Sequence, residues 1–398
     1  MKSIHEICGV KFAYDQFLEP LCQELARRDY KVYVSYNGEE IQSKNDIDES
    51  KILFEKISFY RSTNILKMLK GILSIRKVIA STSPEIIHIH TPLLAYLARI
   101  AVMSHIIRGK TSIVYTIHGF YFHQQGKKLS NIIHFGVEWI LSMLCEKMLF
   151  VSYKDYKIAL RYFPISKERL YYVGNGVNVE IFKKQKDIAK RMLLREKCKF
   201  KKNEYVVGFV GRYVKEKGLI ELINAAIKLK KGTIKELRLL LIGGLLESDY
   251  DGSNINEVNS KITENSNFIV NVGFIESKEK LADYYNIMDV FCLPSYREGM
   301  PTSLIEAMSC GVPSIASDIR GCNELIRDKR NGILVKPGNS RELMKAIEFM
   351  YEKHAERKEF AETSRKMVIE QYNLKDIVRN TADIIEGIEI ERKATNNK

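Results

Sequence analysis

The densest concentration of residues able to do chemistry is the run Pro294–Glu306, PSYREGMPTSLIE. It follows a short apolar segment that ends at Leu293. Glu298 stands in a loop, with Gly299, Met300 and Pro301 after it. Thr302 and Ser303 then open a helix in which Glu306 sits a turn further on. A proline and a hydroxyl residue at this point are helix-start chemistry. The free N–H groups and positive dipole end of such a helix suit a phosphate or diphosphate. Gly299 lets a ligand approach the backbone closely. Carboxylates accept hydrogen bonds from sugar hydroxyls, so Glu298 and Glu306 beside a phosphate cradle fit a nucleotide-sugar. Spacing alone is equally compatible with a helix-capping loop and solvated glutamates.

A second basic loop, Gly211–Gly218 (GRYVKEKG), also follows a strand-like run. Arg212 can grip phosphate bidentately and Lys217 can act as a point charge; a plain basic turn is the bland alternative, and Lys215 reads as solvated. The third signal is Tyr115–His123, YTIHGFYFH, where His118 follows a strand and precedes Gly119. A lone histidine is more often structural, and His123 is weaker still. His88 and His90 alternate along one strand and share a face. Neither has a Cys, Asp or Glu partner at ligand spacing in the sequence, so no metal site is expected. Asp46-Ile47-Asp48 and Asp249-Tyr250-Asp251 match a D-x-D pattern but lie in polar loops. Gly9 stands alone, without a dinucleotide fingerprint, and no Walker A, GxSxG or HExxH string is present.

Elements that can position these residues alternate regularly. Lys31–Tyr36, Ile86–His90, Ser112–Ile117 and Met148–Ser152 read as buried strands, separated by amphipathic stretches such as Phe17–Arg28 and Asn64–Ser81. The pattern restarts with Tyr205–Gly211, Leu237–Gly243, Phe268–Phe274, Asp289–Leu293 and Ser314–Ser317. Strand–helix alternation at this spacing predicts parallel sheets covered on both faces. An α/β chain with two doubly wound sheets in tandem is expected, joined near Tyr171–Lys186. Ligands of such sheets sit beyond the strands' carboxyl ends, which is where all three loops fall. Two such sheets facing each other would form a cleft.

The 398 residues suit two domains, and 45% hydrophobic with 28% charged residues is ordinary soluble usage. That argues against disorder, collagen-like repeats and a polytopic membrane protein. Seven scattered cysteines without a CxxC pair read as reduced thiols, not a disulfide frame or zinc site. The opening MKSIHEICGVKFAYDQ lacks the charged-then-apolar layout of a secretory signal. Residues 1–200 hold 32 Lys/Arg and 19 Asp/Glu, a net of +13 out of the total +14. An excess confined to one half suggests an anionic partner for it: membrane lipid, nucleic acid or a polyanionic substrate. Otherwise it is a solvated basic surface.

The strand–GRYVKEKG–helix unit followed by PSYREGMPTSLIEAMSCGVPSIASDIRGCNELI resembles the C-terminal half of family 4 (retaining, GT-B fold) glycosyltransferases, with Glu298 to Glu306 as its E-x7-E core. YTIHGFYF resembles the subgroup that builds bacterial capsule, exopolysaccharide and lipid-linked glycans. The resemblance runs over residues 4–385. It implies a GT-B fold of two Rossmann-like domains across a cleft: 1–175 on the acceptor side, 176–372 binding the nucleotide-sugar, and 373–398 as a crossover helix returning to the first domain, plus a tail. It implies that Glu298 holds hydroxyls of the donor sugar and Glu306 those of the ribose. Arg212 and Lys217 would neutralise the departing diphosphate. The backbone at Gly299, Met300, Pro301, Thr302 and Ser303 would line diphosphate and sugar. His118 would reach the donor sugar near the reacting centre, and Phe274–Ile275 would lie beside the nucleobase. Relatives carry a Gly-Gly loop after the first strand where this chain has Cys8-Gly9-Val10, so Gly9 is only a weak candidate for ligand contact.

The expected activity is therefore transfer of a sugar, with retention, from a nucleotide-sugar (UDP by family frequency) to a polyprenyl-diphosphate-linked or other glycan acceptor. No cofactor and no metal is expected, the nucleotide-sugar being a substrate. The basic amphipathic stretches Asn64–Ala80 and Lys127–Lys147 can lie on an anionic membrane, or can pack their apolar stripe on the sheet. A peripheral protein on the cytoplasmic face of the membrane is expected. Two rivals are a nucleotide-sugar epimerase of the same build and a non-enzymatic anion or nucleic-acid binder. The second lacks a recognised module or base-stacking set, and nucleic acid is not an expected partner.

Overall fold

The computed structural model describes residues 2–37, 51–59, 64–107, 109, 111–122, 126–245 and 255–396. Both D-x-D strings and His123 lie outside them. The chain divides into two compact units, Met1–Gly174 with Lys375–Lys398, and Asn175–Leu374.

Unit 1 is built on seven strands: β1 (Lys2–Val10), β2 (Tyr30–Asn37), β3 (Ile52–Lys56), β4 (Ile86–His90), β5 (Ser112–Ile117), β6 (Lys147–Phe150) and β7 (Leu170–Tyr172). Their order in the sheet is β3-β2-β1-β4-β5-β6-β7 and every pairing is parallel. The order reverses between β1 and β4, the switch point at which open α/β sheets present a crevice. Apolar residues alternate between two cores. Ile87, Ile89, Ile113, Tyr115 and Phe150 face one, and Ile4, Val32, Val34, Ile86 and Val114 the other. Covered on both faces, the strands read as near-continuous apolar runs.

The helix Leu374–Asn396 closes the second core with Ala382, Ile385 and Ile388. Arg28 fixes it further, donating to Asp383 at 2.6 Å and Glu386 at 3.2 Å. It runs on to Asn396, so Lys393–Asn396, expected as part of a tail, are helical. Its axis extends a stable helix, and lysine and alanine favour continuation.

Unit 2 has six parallel strands: β8 (Tyr205–Val210), β9 (Leu237–Ile242), β10 (Ile269–Gly273), β11 (Val290–Leu293), β12 (Ser314–Ser317) and β13 (Ile333–Val335), in the order β10-β9-β8-β11-β12-β13. Its switch point lies between β8 and β11. The loops that follow those two strands are the GRYVKEKG and PSYREGMPTSLIE segments. Pairing of β8 with β11 therefore makes neighbours of two motifs some 80 residues apart. All seven cysteines are free and buried, and burial raises each thiol pKa.

Candidate active site

The carboxyl rim of the unit 2 sheet is knit backbone to backbone. Gly218, which joins the Lys215–Lys217 turn to the helix Leu219–Lys231, has φ +65°, and a Cβ there would lie 2.1 Å from the Pro294 carbonyl oxygen. A Cβ on Gly321 (φ +83°) would lie 2.1 Å from the carbonyl of Gly299. The Tyr296 N–H donates to the Glu216 carbonyl at 2.8 Å. Only glycine offers both the left-handed backbone and the missing side chain at the two points where loops touch.

This knitting sets the side chains. Lys217 Nζ lies 2.6 Å from Glu298 Oε1, and the Ser295 hydroxyl donates to the same oxygen at 2.7 Å. The pair is mostly covered, its side chains 17% and 9% exposed. Arg212 follows Gly211 directly beyond β8 and is half-buried. Pro301 caps the helix Thr302–Ser309 in extended conformation with no side-chain cap bond. Asn175 donates to the Met300 carbonyl and to Thr302 Oγ1, both at 3.2 Å, pinning the helix entry. Met300 and Pro301 are buried, while Gly299, Thr302 and Ser303 keep partial exposure.

Glu306 is buried inside that helix and accepts a 2.8 Å hydrogen bond from the Tyr285 hydroxyl. Burial pushes its carboxyl up to about 7, with the Tyr285 bond pulling in the other direction. Glu298 and Glu306 thus differ in kind, one held by a lysine and one in an apolar seat. Phe274 and Ile275 follow β10 at the same rim, and Phe274 is 54% exposed. Sequence reasoning missed Asn175, Tyr285 and Ser295. No spacing marks the first two; Ser295 stood within the motif and its role became visible only with the loop's geometry.

In unit 1, Gly9 does not open a loop. It is buried inside β1, at a register shift where Ile7 pairs with Ser35 and Val10 with Asn37. Two residues of β1 thus face one of β2, a bulge, and the helical run starts only at Lys11. His118 follows β5, is partly exposed and packs its ring 5.3 Å from that of Phe17.

His88 and His90 have no acidic partner at ligand spacing in the sequence, but the fold supplies one. Glu6 lies opposite His88 in the β1–β4 register. His88 Nδ1 lies 3.1 Å from Glu6 Oε1, and His90 Nε2 lies 2.9 Å from Glu6 Oε2. The partner sits 82 residues upstream on the neighbouring strand, where no local spacing rule can find it. The three residues offer ligand atoms within 4.8 Å of one another, and as they stand these are already at hydrogen-bond distance. Burial alone would raise the Glu6 carboxyl, but the two imidazoles outweigh it and hold it at about 2. His90 is lowered to about 4 by burial and by His88, and His118 to about 3 by burial and both neighbouring rings.

Comparison with known proteins covers both units. Residues 16–181 match the family model described as Glycosyltransferase Family 4, and residues 190–367 that described as Glycosyl transferases group 1. The chain is 28% identical to EpsD of Bacillus subtilis (strain 168) over 384 residues, 96% of each protein. It is 25% identical, over 73% of its length and 72% of the other's, to the Escherichia coli UDP-Gal:alpha-D-GlcNAc-diphosphoundecaprenol alpha-1,3-galactosyltransferase. Among solved structures, sucrose-phosphate synthase (tll1590) from Thermosynechococcus elongatus superposes with a TM-score of 0.79 at 20% identity, over 98% of this chain and 100% of that one. The architecture and both family models agree: the chain belongs to the family 4 glycosyltransferases and has their GT-B fold of two Rossmann-like domains.

Proposed function

We propose that this glycosyltransferase moves a sugar, with retention of configuration, from a UDP-sugar to a polyprenyl-diphosphate-linked glycan during assembly of a bacterial surface polysaccharide. The observation that carries the donor site is the 2.6 Å pairing of Lys217 with Glu298, which joins a phosphate-type cation to a sugar-type carboxylate at one rim. The E. coli relative's name, with UDP-galactose as donor and a diphosphoundecaprenol-linked sugar as acceptor, supports the substrate classes.

Breaking the sugar–phosphate bond builds positive charge at the anomeric carbon and negative charge on the diphosphate. Arg212, Lys217 and the N-terminus of the Thr302–Ser309 helix stabilise the latter, so the reaction needs no metal. The backbone from Gly299 to Ser303 lines the diphosphate and sugar. Glu298 holds sugar hydroxyls, Glu306 accepts from the ribose, and Phe274 and Ile275 flank the base. His118 is assigned to the donor sugar, and Gly9 is kept only as a backbone contact. The acceptor attacks the face that the phosphate leaves, and the leaving phosphate takes its proton.

The acceptor suggests where the enzyme works. The helix Ile65–Thr82 buries Gly71, Ile75 and Ile79 against the unit but leaves Ile65, Leu66, Leu69 and Leu73 exposed beside Lys67 and Lys70. The helix Lys128–Ser142 exposes Leu129, Ile132, Ile133 and Ile140 near Lys127. Apolar residues beside lysines suit the interface of an anionic bilayer. No helix among the described residues is long and apolar enough to cross a membrane. We place the enzyme peripherally on the cytoplasmic face.

The test is nucleotide release from UDP-, GDP- and ADP-sugars in EDTA, with and without polyprenyl-diphosphate-linked acceptors, and the anomeric configuration of the product by NMR. Acceptor-stimulated release from a UDP-sugar with retention is expected. Release that needs a divalent metal, or an inverted product, would overturn the mechanism. Cosedimentation with anionic but not neutral vesicles, lost in Leu66→Glu/Ile132→Glu, tests the location.

A further inference from the structure

We propose that Glu6 and His90 are positioning residues that fix His118 in a single ring tautomer, its proton on Nε2 and a bare Nδ1 left to accept a hydroxyl. The hydroxyl's identity as one of the donor sugar rests on the proposed function; the tautomer does not.

The argument is a count of protons. An ionised carboxylate can only accept. Glu6 therefore takes a hydrogen bond from His88 Nδ1, which lies 3.1 Å from Oε1 and 3.0 Å from Oε2, and one from His90 Nε2, 2.9 Å from Oε2. A neutral imidazole carries one proton, so with His90 Nε2 donating its other nitrogen must accept. His88 Nε2 lies 2.7 Å from the Thr116 hydroxyl. His90 Nδ1 accepts from His118 Nε2 at 3.3 Å. His118 then holds its proton inward, and its Nδ1 is a lone pair. Reversing the last link would require His90 to donate from both nitrogens, hence to be charged. Burial opposes that, since His90 is 3% exposed and its ring centroid lies 4.0 Å from that of the tilted His88 ring.

The buried acid thus acts at a distance, through two rings. A substrate hydroxyl that donates to His118 Nδ1 is favoured, and an analogue lacking it leaves that acceptor unpaired.

Long-range ¹H–¹⁵N correlation of the ring nitrogens in the full, ligand-free chain tests this, the His118 resonances being assigned by their loss in His118→Gln. Wild type is expected to show His118 only as the Nε2–H tautomer between pH 6 and 8. Glu6→Leu removes the acceptor that fixes the proton of His90 on Nε2. Without it the His90 ring can take either tautomer, so a second His118 tautomer should appear, with kcat/KM for the donor falling roughly 10-fold. Thr116→Val is the control for a merely structural effect. It unseats the far end of the network and lowers Tm, but leaves the His118 tautomer and the KM of the donor unchanged. An Nδ1–H or mixed His118 in wild type overturns the proposal without any variant. So does an unchanged spectrum in a folded Glu6→Leu, or stoichiometric zinc held by Glu6, His88 and His90. Because the spectra need no substrate, absent glycosyl transfer would fell the functional proposal and leave this one standing.

Discussion

Replacing Glu306 with glutamine should make the ligand-free protein more stable and a poorer binder of nucleotide. The carboxyl is buried, accepts a hydrogen bond from the Tyr285 hydroxyl at 2.8 Å, and is pushed by burial from the ordinary 4.5 up to about 7. A folded-state pKa above the unfolded one means the native state binds the proton more tightly. The wild type therefore loses stability as pH rises from 4.5 to 7, and the loss is complete above 7. At about 1.4 kcal/mol per pKa unit the full effect is about 3 kcal/mol, of which about 1 is already present at pH 5. Glutamine keeps the shape and can still accept from Tyr285, but never ionises. Denaturant unfolding followed by far-UV circular dichroism at pH 5 and 8 should show the stability gap widening by about 2 kcal/mol in favour of Glu306→Gln. Trp139 lies in unit 1, so its fluorescence transition is an internal control that should not move. Nucleotide affinity should fall roughly 10- to 100-fold, the worth of a charge-assisted hydrogen bond. A gap that does not change with pH would refute the reasoning, since only titration of this carboxyl produces it.

Lys217→Ala should lower kcat about 100-fold or more while changing donor KM little, because the lost charge acts on the leaving diphosphate; steady-state kinetics with normal turnover would remove the assignment. Gly218→Ala should cost at least about 2 kcal/mol, combining a left-handed backbone with a Cβ 2.1 Å from the Pro294 carbonyl oxygen, and calorimetry should register it as a lower Tm. Arg99 and Glu138 form a fully buried ion pair at 2.8 Å. Arg99→Met should destabilise by about 3–5 kcal/mol by stranding the carboxylate, and Arg99→Met/Glu138→Leu should recover part of the loss; additive effects in urea unfolding would contradict the pairing.

What the sequence revealed and what it hid divide along physical lines. The inner strands β4, β5, β8, β9, β11 and β12 were legible because both faces are buried and their runs are unbroken in apolarity. β3, β7 and β13 were not, being edge or outer strands of three to five residues with partly exposed positions. Lys217 and Glu298 were each legible from strand-end position and loop chemistry, but their pairing depends on β8 lying beside β11. The Glu6–His88–His90 network was misjudged for the same reason, since its register is set between strands and not along one. Tyr285, the partner of Glu306, carried no signal at all.

The sealed cysteines give the molecule a chemical clock. With every thiol buried and its pKa raised, a thiol reagent in the native solution reacts only as fast as the chain opens. Cys8, Cys22 and Cys145 time the opening of unit 1, and Cys198, Cys292, Cys310 and Cys322 that of unit 2. Peptide-resolved mass spectrometry of one labelled sample can therefore follow both openings side by side. A nucleotide held by unit 2 should slow its four thiols in proportion to ligand occupancy, so binding can be titrated without a substrate, a product or a tag.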